Sequence, residues 1–500
     1  MSLRPGVPAL SILLASVVCA IVNPGNFGTI DTGRRLQVER WIRLGEPPVR
    51  RADIDSGFGL VGRNGVVHAW YGIGQSLVLL PFDMAVSATL APFLRRCGLD
   101  DEKRRQVTEM AIAFLMQAAA ASALLLLARA LLASLGFPPL AAAAGAVSLL
   151  LATTCLQYLQ CAEENELLLV LALSALLAIR RWAASGAWGW AALAGAACGF
   201  AVLVRLPSLM EAGVFAGLGL AAGGRRKRFL AAYLAPVMAA ILVDRWYQWL
   251  RFGDWTSTYM GILVRQTRPP GAPAGYPFTY PFAKGFFGLF YSPDKSVLLF
   301  DPLLAAAAVL AVWRWRTLDR GLRATLLSLA ALLFAYDAFY ARYYAFGGDV
   351  AWGHRFLTLP VQLLALFAVP LLMGAQRALP RVCAGAAWAW VALAVALQAL
   401  STAMAPNVEV IQRERGDTHG VLLNRVVNLA AVARGQVDAP RFAGIPREWR
   451  APYYLPFQLR FRFPRLANWA IAAWWMLVAS VPLLVRAICR AADGAPRGSA

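Results

Sequence analysis

The chain has 500 residues, is 59% hydrophobic and carries only 15% charge, where soluble domains run nearer a quarter charged. Apolar runs recur from end to end, which excludes a globular domain on a single anchor and points to an all-α polytopic membrane protein. The net charge of +21 (48 Lys+Arg against 27 Asp+Glu) fits the loading of short cytoplasmic loops with Arg; no nucleic-acid-binding motif accompanies it.

The seven cysteines are scattered, mostly within apolar segments, with no CxxC pair. Only His68, His354 and His419 are present, too few for a His-rich metal site. The first apolar run, ending near Val18-Cys19-Ala20, has the look of a cleavable signal peptide. In a polytopic chain it reads better as an uncleaved first span. Segments long enough to span are expected near 7–23, 107–131, 139–158, 165–181, 188–205, 209–223, 229–244, 296–313, 324–341, 356–374, 383–403 and 467–486, about 12 in all at roughly 20 apolar residues each.

Between the first two of these lies a long loop, 24–106. It opens with Thr29-Ile30-Asp31-Thr32-Gly33-Arg34-Arg35. A mixed segment to Leu44 follows, with Leu36, Trp41 and Ile42 among Arg35, Glu39, Arg40 and Arg43, as in a helix on a membrane surface. Asp31 stands at the start of that helix, either as its N-cap or as a reactive carboxylate. The stretch 68–94 is long enough to span, but Pro81 and Asp83 interrupt it. Charge decides its place. With Arg4 in the cytoplasm and 68–94 left uncounted, the loops holding Arg129, Arg180-Arg181, Arg225–Arg228, Arg314–Arg323 and Arg377–Arg381 all fall inside, with the tail Arg486, Arg490 and Arg497. Counting 68–94 as a span would turn every later loop outward. It is therefore expected as two half-helices dipping into or lying along the outer face, covered by protein.

The loops left outside hold the unusual residues. Ala162-Glu163-Glu164-Asn165-Glu166 puts three carboxylates in four residues at a membrane surface, costly unless they are solvated or paired. Arg205 closes one span in Leu203-Val204-Arg205-Leu206-Pro207. An aromatic, Pro-rich stretch (Tyr276 to Phe282) leads to Gly288–Ser296, which carries Lys295. Phe346-Gly347-Gly348-Asp349-Val350-Ala351-Trp352-Gly353-His354-Arg355-Phe356 places a Gly-rich backbone and an Arg fork at the head of an apolar helix, a combination suited to phosphate. The more polar segment 404–466 is expected to form a small outer cap, too short for an independent domain.

The order of these motifs resembles the GT-C fold of membrane glycosyltransferases, the group of the protein O-mannosyltransferases and lipid A aminoarabinose transferases. The matching pieces are Asp31 before its helix, Gly65–Gln75 with His68, Trp70, Tyr71 and then Pro81, the acidic loop, Gly195–Arg205, Phe290–Lys295 and Gly347–Arg355. They cover roughly 1–375. Three positions depart from the pattern: His354 stands where Pro is expected, Asp31 is single where relatives carry an acidic pair, and the acidic loop has Glu where Asp is common. The resemblance implies a GT-C-like bundle over 1–403 with juxtamembrane helices in the first outer loop. The outer segment 404–466, the last span and a basic cytoplasmic tail (467–500) would follow it. It further implies hexosyl or pentosyl transfer from a polyprenyl-phosphate sugar to an acceptor hydroxyl on a lipid, glycan or protein, at the outer face of the bacterial cytoplasmic membrane.

In that scheme Asp31 is the base and Glu163 or Glu164 the second carboxylate. Arg205, Lys295 and Arg355 hold phosphate, while Tyr71, Trp352 and His354 complete the substrate site. No cofactor is required by the motifs; a divalent cation is the candidate. Two rival classes are a transporter or flippase of a lipid-linked sugar and a non-catalytic scaffold. Against a carrier, Asp301, Asp337 and Glu211 sit near outer ends of spans rather than the midplane, and no internal repeat is visible.

Overall fold

The computed structural model describes residues 6–348, 351–417, 419–461 and 463–494; Arg4, Asp349, Val350 and Arg497 from the sequence reading lie outside them. All twelve apolar segments are helical, but fewer are fit to span than expected. Among the described residues, eight helices are long and apolar enough to cross a membrane by length and composition, or nine if Pro139–Leu151 and Cys155–Cys161, bent by 52°, count as one. The helices Val7–Val22, Trp188–Val204 and Ser208–Ala222 are apolar but short, and Pro302–Arg314 has only 13 residues. Hydropathy windows ran across breaks that the backbone makes at Ala152 and Asp301.

The second correction concerns 68–94, which is not two half-helices. Gly74–Arg96 is one helix of 23 residues with Pro81 and Pro92 inside it. It is counted among the eight by length and composition. Its first residues lie against the end of the 188–204 helix, where a Cβ on Gly74 would stand 2.6 Å from the Val204 amide nitrogen. Beyond its far end begins the 34-residue helix Asp101–Ser134, whose Glu109 pairs with Arg50 of the first loop at 2.9 Å. Leu79 and Val86 pack on Ile112, Ala113 and Met116 in the first half of that long helix.

The two sets of loops segregate. Arg180 donates to the Ser134 carbonyl and Arg314 to that of Gly374, Gly186 lies beside Arg225, and Gly321 beside Arg180. The other ends of the same helices carry Gln160, Arg205, Arg251 and Arg355. Close helix packing sets their positions. A Cβ at Gly195 would lie 2.0 Å from the Tyr233 carbonyl oxygen, and one at Gly199 2.9 Å from that of Pro236. This small-xxx-small face lets Trp188–Val204 and Arg226–Phe252 touch backbone to backbone, which is the membrane route to tight packing.

The helix Ile30–Leu44 buries Arg35, Gln37 and Glu39 along with Leu36 and Val38, while Ile30, Ile42 and Leu44 at its two ends are exposed, as at a lipid boundary. Arg40 and Arg43 both pair with Asp83, stitching this helix to Gly74–Arg96. A two-stranded antiparallel hairpin, Leu60–Val61 with Val67–His68, completes the loop. The segment 404–466 has its own small core, including Met404, Val408, Phe442 and Ile445.

This arrangement predicts which single cysteines share a side of the membrane. In a background without native cysteines, position 98 and position 274 should label with an impermeant reagent from one side and position 226 from the other. Labelling of positions 98 and 274 from opposite sides would mean that Gly74–Arg96 crosses the bilayer.

Candidate active site

Asp31 is not the helix cap. Thr29 takes that role, its hydroxyl accepting from the Asp31 amide at 3.3 Å. The Asp31 carboxylate is thereby left for tertiary partners. Tyr71 donates its hydroxyl to Oδ1 at 2.6 Å, and Arg355 Nη2 lies 3.3 Å from Oδ2. Burial works to raise the Asp31 pKa, but Arg35, Arg355 and the Tyr71 hydrogen bond outweigh it and hold the carboxyl below its usual range. The group is an anion at neutral pH. Tyr71 is pushed well above the ordinary phenol range by burial and by Asp31, so it serves as a donor.

Arg355 is the centre of the cluster. Its Nε lies 3.2 Å from Glu163, and its Nη2 3.7 Å from Glu164 as well as 3.3 Å from Asp31. Those three carboxylates outweigh burial and hold the guanidinium charged. Glu164 has a second partner, Arg35, at 2.7 Å. Glu163 is different: burial, with Glu164 and Asp31 nearby, overcomes Arg355 and pushes its pKa up to about 7. One carboxylate is thus firmly ionised and its neighbour is poised near neutrality. Environments of that kind separate acid and base roles.

The acidic loop is held by its backbone. Ala162, left-handed at φ 51°, offers its carbonyl to Thr32 at 2.8 Å and to Gln75 at 3.0 Å. Asn165 donates to the Arg355 carbonyl at 3.0 Å, fixing the Arg loop to the acidic loop. Gln160 binds the carbonyls of Val22, Thr402 and Tyr453 at 2.9–3.2 Å, joining the first helix and the outer segment to the same turn.

The other expected residues take more varied places. Lys295 Nζ donates to the carbonyls of Ala351 at 2.8 Å and Gly353 at 3.2 Å, and so holds the Gly-rich loop from beneath. His354 is buried with Nδ1 accepting from the Leu357 amide at 3.2 Å. Burial and Lys295 lower its pKa to about 3, which leaves the imidazole neutral. Trp352 is buried, its carbonyl taking the Tyr158 hydroxyl at 3.2 Å. Arg205 lies 4.8 Å from the Phe356 ring centroid and 5.6 Å from that of Tyr340. Sequence reasoning gave no role to Arg35, Asn165 or Arg251, which donates to the carbonyls of Ala69 at 2.6 Å and Tyr71 at 3.2 Å. Arg35 had a signal: it follows Asp31 by four residues on one helix face.

Two cavities flank the Arg355 loop, with Asp31 among the lining residues of neither. One, of about 590 Å³, is walled by apolar and aromatic side chains, among them Met210, Met260, Phe339 and Phe356, and Arg205 is the charged residue lining it. The other, of about 980 Å³, is polar and bordered by Arg34, Glu163 and Arg355 on one side and the 404–466 segment on the other. Phe356 faces the first cavity and its neighbour Arg355 the second. Among the described residues, no group of three or more His, Cys, Asp or Glu is gathered as a metal site would require, and the positive charge beside Asp31 comes from arginines.

No protein-family model matches the chain, and no curated protein matches it. Among solved structures it is similar to the Archaeoglobus fulgidus oligosaccharyltransferase, in its apo crystal form, at 15% identity and a TM-score of 0.45. The match covers 90% of this chain and 61% of that one, so the chain spans less than two thirds of that protein's length.

Glu163 generates a prediction in pH. Its folded pKa of about 7 lies above the ordinary value of 4.5, so between these values the folded state binds more protons than the unfolded one. Stability should therefore fall as pH rises through that window and level off above it. Thermal unfolding of detergent-purified protein should show that slope, and Glu163→Gln should make it shallower.

Proposed function

We propose that this protein is a membrane glycosyltransferase that moves a sugar from a polyprenyl-phosphate carrier to an acceptor hydroxyl at the outer face of a bacterial cytoplasmic membrane. One observation carries the reading: Arg355, which pairs with Asp31 at 3.3 Å, borders a polar cavity, and its chain neighbour Phe356 lines an apolar cavity whose charged lining residue is Arg205. A lipid phosphate sugar has an apolar tail, an anion and a polar head in that order. The cavity pair offers matching surfaces in the same order.

In this reading the isoprenoid lies among Phe339, Phe356, Met210 and Met260, with its phosphate at Arg205 and within reach of Arg355. The acceptor hydroxyl approaches from the polar cavity. Its oxygen forms the new bond to the sugar's anomeric carbon while the bond from that carbon to the phosphate oxygen breaks. The proton passes to Asp31, and the polyprenyl phosphate leaves with the negative charge that Arg205 and Arg355 stabilise where it develops. Arg355 couples the two events. In the free protein it depresses the basicity of Asp31; a phosphate that draws the guanidinium away relieves that pull and strengthens the base when the donor is in place.

Tyr71 orients Asp31, Arg35 keeps Glu164 occupied, and Glu163 serves as the second carboxylate near the acceptor. Lys295 acts through the loop it braces. The same reading leaves the sugar open between hexose and pentose, and it needs no metal for any step described.

Two variants test it. Asp31→Asn keeps the shape and still accepts from Tyr71, so kcat should drop by about 10²–10⁴, the usual worth of general-base assistance, with donor affinity close to wild type. Arg205→Gln should instead raise the KM for the lipid donor as well as slow transfer, because a phosphate ligand acts in both ground and transition states. Turnover assays with a panel of polyprenyl-phosphate sugars give both numbers. Full activity in folded Asp31→Asn protein would remove Asp31 from the mechanism.

A further inference from the structure

The polar cavity has a roof that the transfer chemistry leaves unused. Pro406, Asn407, Val410, Trp449 and Tyr453 of the 404–466 segment close it opposite Arg34, Glu163 and Arg355. The segment is built onto the site rather than tethered beside it. Tyr453 donates to Asn26 at 3.2 Å, the Leu455 amide to the Asn23 carbonyl at 2.7 Å, and Arg413 pairs with Asp294 at 2.5 Å. Arg425, in a buried pair with Glu409 at 2.6 Å, lies 5.2 Å from the Trp352 ring centroid. The roof therefore stands at a defined height over the Arg355 loop.

The charges of this cavity say what it takes. Among the described residues, four arginines line it (Arg34, Arg50, Arg105 and Arg355) with three carboxylates (Asp53, Glu109 and Glu163). Arg34 pairs with Asp53 at 3.0 Å, Arg50 with Glu109 at 2.9 Å and Arg355 with Glu163 at 3.2 Å. Among the described lining residues only Arg105 is left over. An anionic headgroup would find most of the cations already neutralised, and a basic peptide would find the same of the carboxylates. The contrast with the apolar cavity, where Arg205 faces no lining acid, is plain. What the pairs still offer is a dense mixture of fixed donors and acceptors, the match for hydroxyls that do both. Trp449 and Tyr453 add aromatic surface that can pack on the C–H faces of a sugar ring. The volume, about 980 Å³, is at the upper end for small-molecule sites and leaves room for more than one ring.

We propose that the acceptor is an uncharged carbohydrate, bound in this cavity with Trp449 and Asn407 as the contacts contributed by the 404–466 segment. This rests on the transferase reading for the word acceptor, but the binding site stands on the cavity alone.

The test is a binding measurement that needs no turnover. Full-length protein in nanodiscs is applied to an array of uncharged, anionic and aminated oligosaccharides with basic peptides and lipid phosphates beside them. Saturable binding to uncharged oligosaccharides is expected. It should weaken roughly tenfold or more in Trp449→Ala, as truncation of an aromatic anchor does, and be largely kept in Trp449→Phe. Asn407 is exposed, so Asn407→Leu supplies a second variant that does not disturb the segment's core. Absence of saturable binding to every uncharged oligosaccharide, preference for peptides or anions, or binding indifferent to both positions would each overturn the proposal. Glycan binding lost in Trp449→Ala while Asp31→Asn proves harmless would keep this site and sink the transferase reading. Transfer to a non-carbohydrate acceptor, unchanged in Trp449→Ala, would do the reverse.

Discussion

The positive charge of Arg355 is the constraint on which the site depends. Three carboxylates from two distant stretches, Asp31 and the pair Glu163–Glu164, meet within 3.7 Å of one guanidinium. Carboxylates brought so close in a largely dry place repel, and removing one partner of such a cluster costs about 3–5 kcal/mol. Arg35 relieves part of that by taking Glu164, and Tyr71 part by donating to Asp31. Burial, with the remainder of that repulsion, raises the pKa of Glu163. The cluster is balanced while Arg355 stays, and an anion that competes for Arg355 would change the basicity of the groups left behind.

The backbone supports that arrangement through a few amide side chains rather than through apolar packing. Gln160 ties three carbonyls from the first helix, the 381–402 helix and the outer segment; Gln75 and Thr32 share the Ala162 carbonyl; Asn165 reaches the Arg355 carbonyl. At the water–lipid boundary loops cannot rely on a large hydrophobic core, and a side-chain amide satisfies broken backbone that water does not reach. The small-residue face of the 188–204 helix does the complementary work below, bringing Arg205 to the level of the cluster through close backbone contact.

Much of this was visible in the residues, for identifiable reasons. Helix positions followed from apolar length, because a bilayer demands it. The grouping of Asp31, Glu163, Glu164, Arg205 and Arg355 on one end followed from Arg counts in the loops, since the positive-inside bias is a property of composition. The span count did not follow. Hydropathy is an average over a window and is blind to the bends at Ala152 and Asp301.

By itself the sequence determined the class of protein, the helices and the face on which its unusual residues collect, because these depend on local composition and on period. Only the tertiary structure decided what each residue is for. It gave the cap to Thr29 and freed Asp31, turned Lys295 under the Gly-rich loop, set Glu163 apart from Glu164, and raised the 404–466 segment over the polar cavity. Those outcomes are set by distances of 2.6–3.7 Å between residues up to 324 positions apart. Coulomb energy and desolvation vary steeply over such distances, and nothing in the linear order of the chain encodes them directly.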